Sequence, residues 1–247
     1  MRRTGLLAFC LATGITAHAN ATPVDLIQNG GFELNGGTGT QTITGWTATD
    51  QAAGDGGFFV QTGTNSPVGG FAVPSPSQGG FAAMTDQGGP GSHVLTQSFV
   101  VPVNVISATL SFQLFLSNTA GAFSTPGSLN YSVSPNQQFR VDIITSTANP
   151  FSLATADVLQ NVYQTRSGDA SVSGYSLVTA DLTSLLAADA GQTLILRFAE
   201  VDNQGIFNAG VDEVSLSADT AVPEPASMAL LGIGLLGACS ARRRRKA

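Results

Sequence analysis

Through the middle of the chain, apolar residues recur at every second position rather than every third or fourth. Leu110, Phe112, Leu114 and Leu116 alternate with Ser111, Gln113, Phe115 and Ser117. Phe139, Val141 and Ile143 alternate with Arg140, Asp142 and Ile144, and Leu194, Leu196 and Phe198 with Ile195, Arg197 and Ala199. Successive strand side chains point to opposite faces, so a period of two predicts strands with one buried face. The same reading predicts strands over 26–34, 45–49, 58–61, 81–84, 93–101, 161–164, 175–181 and 214–217, and one short helix over 183–190. Gly, Pro, Ser and Asn separate them, and two polar, glycine-containing stretches, 63–80 and 118–136, predict long loops. Many short strands with turn-rich connections predict an all-β fold, a jelly-roll β-sandwich of about 200 residues.

The two ends follow a different pattern. Met1-Arg2-Arg3, the apolar stretch from Leu6 to Ile15 and Ala17-His18-Ala19 have the order of a signal peptide, with cleavage expected after Ala19. At the other end, Val222-Pro223-Glu224-Pro225 precedes an apolar or small-residue run over 226–241 and the cluster Arg242-Arg243-Arg244-Arg245-Lys246. As a helix that run rises about 24 Å, slightly less than a roughly 30 Å hydrocarbon core, which suits a transient anchor. The basic cluster should stay cytoplasmic and leave the body outside. The chain therefore divides into a signal peptide (1–19), a sandwich (20–221) and a C-terminal segment (222–247). The tail resembles the PEP-CTERM sorting signal: Pro223-Glu224-Pro225 as the motif, a Gly-rich hydrophobic helix, then Arg242, Arg243, Arg244 and Arg245. The resemblance implies processing by an exosortase in a Gram-negative bacterium that makes exopolysaccharide. It further implies delivery to the cell surface, outer envelope or extracellular matrix, with membrane contact only through the C-terminal helix before processing.

Composition narrows the chemistry of the body. Between Asn20 and Ala221 there are three bases, Arg140, Arg166 and Arg197, against 15 acids, a net charge of −12 with no lysine. Nucleic-acid binding needs cations to displace phosphate counterions, so a nucleic-acid partner is not expected. Cys10 and Cys239 both fall in the terminal segments, which removes disulfides, thiolate nucleophiles and Cys-ligated zinc from the body. His93 is the body's single histidine. It has no G-x-S-x-G nucleophile signature near it. Glu200 and Asp202 share parity at a strand end, a pattern open to glycoside hydrolysis or to a solvated or cation-binding loop.

The body opens with Asn29-Gly30-Gly31-Phe32-Glu33, continues through Gly45-Trp46 and closes with Gly210-Val211-Asp212-Glu213-Val214-Ser215-Leu216. Together these resemble the galactose-binding-like sandwiches that include several carbohydrate-binding modules. Asp212 has the parity of Val214 and Leu216, so it is expected to point inward, and an inward carboxylate needs a partner. A hard cation held by carboxylates and backbone carbonyls is one solution. The resemblance implies a structural Ca2+ between Glu33 and Asp212, with the Gly31 carbonyl as a further ligand. The alternative is that both carboxylates accept backbone N–H bonds and hold no metal.

Glycan recognition pairs an aromatic platform with planar polar groups. Tyr131 in a long polar loop, Tyr163 close to Arg166, and Arg140 facing away from the core are the candidate ligand-binding residues. Arg140 has the alternative of pairing with Asp142, and Trp46 is expected to pack inside. The reading that emerges is an exported, non-catalytic surface or matrix protein with exosortase and a polysaccharide as partners. Its alternatives are a structural or adhesive matrix protein acting through protein contacts, and a secreted glycan hydrolase.

Overall fold

Each alternating run finds strand partners on both sides or closes an edge. A computed structural model describes residues 23–221. In chain order the strands are β1 (Val24–Asp25), β2 (Thr47–Asp50), β3 (Gly57–Gln61), β4 (Ala82–Asp86), β5 (Gly91–Val100), β6 (Val105–Asn118), β7 (Gln138–Thr145), β8 (Val158–Gln164), β9 (Ser176–Asp181), β10 (Thr193–Asp202) and β11 (Phe207–Thr220). The helix α1 (Thr183–Ala188) lies between β9 and β10. One sheet runs β3-β4-β11-β6-β9, with β1 also on β11; the other runs β2-β5-β10-β7-β8. All pairings are antiparallel. This is the expected all-β, two-sheet, jelly-roll-like sandwich. The expected signal peptide and hydrophobic sorting helix lie outside the described residues, among which no helix is long and apolar enough to cross a membrane.

The inner faces meet over an aromatic core. Phe112 of β6 stands edge-on to Phe198 of β10 at 5.3 Å between ring centres, and Trp46 packs between Phe32 and Phe198 at 5.3 and 5.9 Å. Trp46 is thus a core residue, its indole N–H donating to the Asn29 carbonyl. Each fully buried ring contributes about 2–3 kcal/mol of transfer free energy. The outer faces are covered too. Val94, Leu129, Ala199 and Val201 form a second cluster outside the five-stranded sheet, and Val73, Met84 and Phe115 a third outside the other. Strands covered on both sides explain why Ile144 and Phe115 sit at nominally polar positions yet are buried.

The sequence pattern misleads in two places. The stretch 26–34 contains no strand, because Asn29 and Phe32 adopt left-handed φ of 51° and 56°. The Asn29 side chain stabilises that bend, accepting from Leu34 N–H and donating to the carbonyls of Leu34 and Thr44. In β11, Glu213 at φ 51° forms a bulge between Asp212 and Ser215 that resets the parity. Val211, not Asp212, therefore joins Val214 and Leu216 in the core. Asp212 is buried on the opposite face, beneath the segment connecting β3 to β4.

The bulge explains the first of the two opening glycines. Val214 N–H donates to the Gly30 carbonyl at 2.9 Å, and a Cβ on Gly30 would collide with the Val214 carbonyl. A Cβ on Gly31 meets nothing within 4 Å. We expect Gly30→Ala to destabilise the protein by about 1–3 kcal/mol through overpacking. Gly31→Ala should change stability by less than about 0.5 kcal/mol. Urea denaturation of both variants checks the contrast.

Candidate functional site

The β6–β7 and β7–β8 connections fold over the outer face of the five-stranded sheet, and a buried ion network holds one of them down. Asp142, on β7, accepts two hydrogen bonds from Arg140 (2.8 and 2.6 Å) and two from Arg197 of β10 (3.2 and 2.6 Å). Asn161 of β8 adds a fifth donor at 2.8 Å. Arg197 is fully buried, and its remaining donor Nη1 reaches up to the carbonyls of Pro150 and Ser152, both at 2.8 Å. Burial by itself would push the Asp142 carboxyl up. The Arg140 hydrogen bonds and the charges of both arginines outweigh it and hold the carboxyl below its usual range. Arg140 thus makes the ion pair with Asp142 that the sequence left as its alternative.

Between the two connections lies a cleft of about 590 Å³ lined by Gln51, Gly127, Ser128, Leu129, Asn130, Asn149, Phe151, Ser152 and Leu153. It offers amides, hydroxyls and one aromatic ring, and no charged side chain. The amide oxygen of Gln51 is buried with no hydrogen-bond partner. A buried acceptor left unpaired costs free energy, and a ligand hydroxyl or N–H removes that cost. Tyr131 stands beside the cleft, packed on the second cluster, with its hydroxyl donating to the Ala52 carbonyl. Tyr163 lies on the other side of the sheet, half-buried against Phe139 at 6.4 Å; burial first, then the Asp169 charge, push its phenol up. Arg166 is exposed beyond β8. The four residues expected to bind ligand therefore do not converge on one surface. Gln51 and Phe151 carry no sequence signal that separates them from other loop residues.

A second constellation sits inside the sandwich at the end of the same sheet. Register puts His93 of β5 directly opposite Glu200 of β10 on one side and Asp50 of β2 on the other, with Asp202 opposite Gly91. His93 and Glu200 are fully buried and Asp202 nearly so. Asp50 lies 2.8 Å from His93 Nδ1, while Nε2 faces Glu200 at 4.0 Å. Nε2 and both Glu200 oxygens have no hydrogen-bond partner. Asp202 accepts the Gly91 N–H at 2.9 Å. Burial, followed by the Asp202 charge, pushes the Glu200 carboxyl well above its ordinary value; burial pushes Asp202 up to about 6. The shared parity of Glu200 and Asp202 was visible in the sequence, but their approach to His93 depends on strand register.

Glu33 and Asp212 both clamp the β3–β4 connection. Glu33 accepts from Gly80 and Phe81 N–H at 2.8 and 3.1 Å, and Asp212 from Gln78 and Glu213 N–H at 3.0 and 2.8 Å. The Gly31 carbonyl takes no part in these bonds. Burial pushes Asp212 up to about 6 despite its two N–H donors. Among the described residues the three-ligand cluster with metal-binding spacing is His93, Glu200 and Asp202.

The fold and site define a jelly-roll-like sandwich with a loop-framed, uncharged surface cleft. Residues 221–246, immediately after it, match the PEP-CTERM protein-sorting motif, a span that contains Pro223-Glu224-Pro225 and Arg242 to Arg245. No curated protein matches the chain. Similar solved structures include TmCBM61 in complex with β-1,4-galactotriose, at 11% identity over 78% of this chain and 97% of that one, TM-score 0.46. The Stig cyclase Fisc from Fischerella sp. TAU is 17% identical over 81% and 100%, TM-score 0.47. The K1 cleaved adhesin domain of Lys-gingipain from Porphyromonas gingivalis W83 is 12% identical over 74% and 96%, TM-score 0.43.

Two outcomes follow from the electrostatics. Asp142→Ala leaves two buried guanidinium groups unpaired and should cost about 3–5 kcal/mol, read by denaturant unfolding. Asp202 and Asp212 bind protons more tightly folded, at about 6, than at their unfolded value near 3.8. Between those values the folded state holds more protons, so stability falls as pH rises through the window. Asp142 has the opposite sign, and its contribution is lost only as pH falls below about 3.8. In chelator, thermal melts should therefore show maximal stability near about pH 4 and a lower Tm at pH 7.

Proposed function

We propose that this is an exported, exosortase-sorted surface or matrix protein whose sandwich binds a neutral glycan without catalysis. The sorting half of the reading rests on the PEP-CTERM motif at residues 221–246. The binding half is carried by the cleft over the five-stranded sheet, above all by the buried, unpartnered oxygen of Gln51. A sugar ring presents C–H groups to an aromatic such as Phe151, and its hydroxyls bond amides such as Gln51, Asn130 and Asn149. An uncharged cleft on a body of net charge −12 favours a neutral polymer over an anionic one. Glu200 is too deeply buried to reach a polymer in this cleft, which supports a non-catalytic role.

Native affinity electrophoresis of residues 22–220, which form one compact unit, tests the reading. The panel should hold neutral and acidic polysaccharides and the producer's own exopolymer. Retardation by a neutral polymer is expected, weakened about tenfold by Phe151→Ala and by Gln51→Ala, the factor that corresponds to roughly 1.4 kcal/mol at a binding hot spot. Retardation by none would leave a structural matrix role acting through protein contacts.

A further inference from the structure

We propose that His93 Nε2 and the carboxylates of Glu200 and Asp202 are the ligands of one divalent transition-metal ion, zinc in the first instance, held inside the sandwich between β5 and β10. One donor atom from each residue lies within 4.8 Å of the others, and the His93–Glu200 pair is at 4.0 Å. Zinc binds imidazole nitrogen and carboxylate oxygen at about 2.0–2.2 Å in tetrahedral geometry, so two ligands of one ion stand roughly 3.4 Å apart. To reach that spacing the His93–Glu200 pair has to close by about 0.6 Å, and the widest pair by at most about 1.4 Å.

Three independent features support a cation. First, Asp50 accepts at His93 Nδ1, which places the proton there and turns the Nε2 lone pair toward Glu200. A carboxylate behind the histidine is the usual means of orienting a metal-bound imidazole. Second, that lone pair and both Glu200 oxygens are acceptors facing one another with no donor between them, at complete burial. A cation satisfies all of them at once, whereas one proton on Glu200 cannot span 4.0 Å to Nε2. Third, a glycine keeps side-chain atoms away from Nε2: a Cβ on Gly91 would strike both His93 Nε2 and the Asp55 carbonyl. Asp202 also borders a cleft of about 190 Å³, which offers a route in.

The nitrogen ligand selects the metal. Calcium prefers six to eight oxygens, whereas imidazole suits zinc and its first-row neighbours. Two carboxylates with a neutral imidazole balance a dication, so the buried site becomes electrically neutral. If Glu200 is protonated in the metal-free protein, binding releases that proton to solvent. The ion would join β5 to β10 directly, and β2 through Asp50, in a body that has no cysteine for a disulfide.

The test uses residues 22–220, tag-free, stripped with chelator and reloaded with zinc. The expected result is one zinc per chain by elemental analysis. With zinc at about a hundred times its dissociation constant, Tm should rise by roughly 5–10 °C. Co2+ should bind with a visible d–d band. Glu200→Gln should abolish the stoichiometric zinc, the Tm rise and the band, while folding at least as stably as the stripped wild type because a neutral amide replaces the buried carboxyl. Asp202→Asn is the second variant should Glu200→Gln not fold. Asp50→Ala, which keeps all three ligands, should weaken zinc about 10–100-fold as an orienting residue. Less than stoichiometric zinc, a Tm rise that survives in Glu200→Gln or Asp202→Asn, or an equal rise with Ca2+ would each overturn the proposal. None of these readouts depends on glycan binding.

Discussion

The Arg140–Asp142–Arg197 network is the interaction on which the cleft over the five-stranded sheet depends. It consumes two of the body's three cations at a single carboxylate. Desolvating three charges is costly, and the cost is offset only when every donor and acceptor is matched. Here Asp142 receives five hydrogen bonds, and the spare Arg197 donor is spent on the Pro150 and Ser152 carbonyls. That last pair converts sheet electrostatics into loop position. The β7–β8 connection that carries Asn149, Phe151 and Ser152 is fastened from beneath, so the cleft is preformed rather than assembled by a ligand. Preformed sites lose less conformational entropy on binding.

The same economy runs through the rest of the molecule. Glu33 and Asp212 pin the β3–β4 connection by accepting its backbone N–H groups. Gln137 and Asn136 brace the β6–β7 connection with side-chain amides that donate hydrogen bonds to Asn118, Ser128 and Gly205. A body with no lysine and no disulfide holds long loops with acids and amides, Glu33 at the surface and Asp212, Asn136 and Gln137 buried. Burial carries a desolvation cost, which explains why the carboxyls of Asp202 and Asp212 are displaced upward while Asp142, with its arginines, is displaced downward. His93 and Glu200 are one place where this matching is left incomplete, and the Gln51 oxygen at the cleft is another.

Much of the architecture was legible in the order of residues. Period-two runs such as 110–117, 139–144 and 194–199 became β6, β7 and β10, and 183–190 contained the single helix among the described residues. The tail's three-part order is a linear signal, so it needed no fold to be read, and the motif match covers it. The two strand-level misreadings share a cause. Left-handed residues at Asn29, Phe32 and Glu213 change chain direction or parity without altering the apolar pattern. Nothing in the alternation of 212–216 announces that Glu213 inserts a bulge, and so Asp212 changed faces.

What the sequence by itself determined is therefore local or compositional: strand periodicity, the sorting tail, and the absence of cysteine and lysine from the body. Those follow from backbone geometry and from counting. Only the tertiary structure decided which polar residues meet. His93, Glu200 and Asp50 stand in one row because β2, β5 and β10 pair in one register, and a slip of one residue would turn each to the other face. Gln51 reaches the same cleft as Phe151 because two connections far apart in the chain fold over one sheet face. Contacts between distant segments are set by pairing and packing, and their energies have no counterpart in the spacing of residues along the chain.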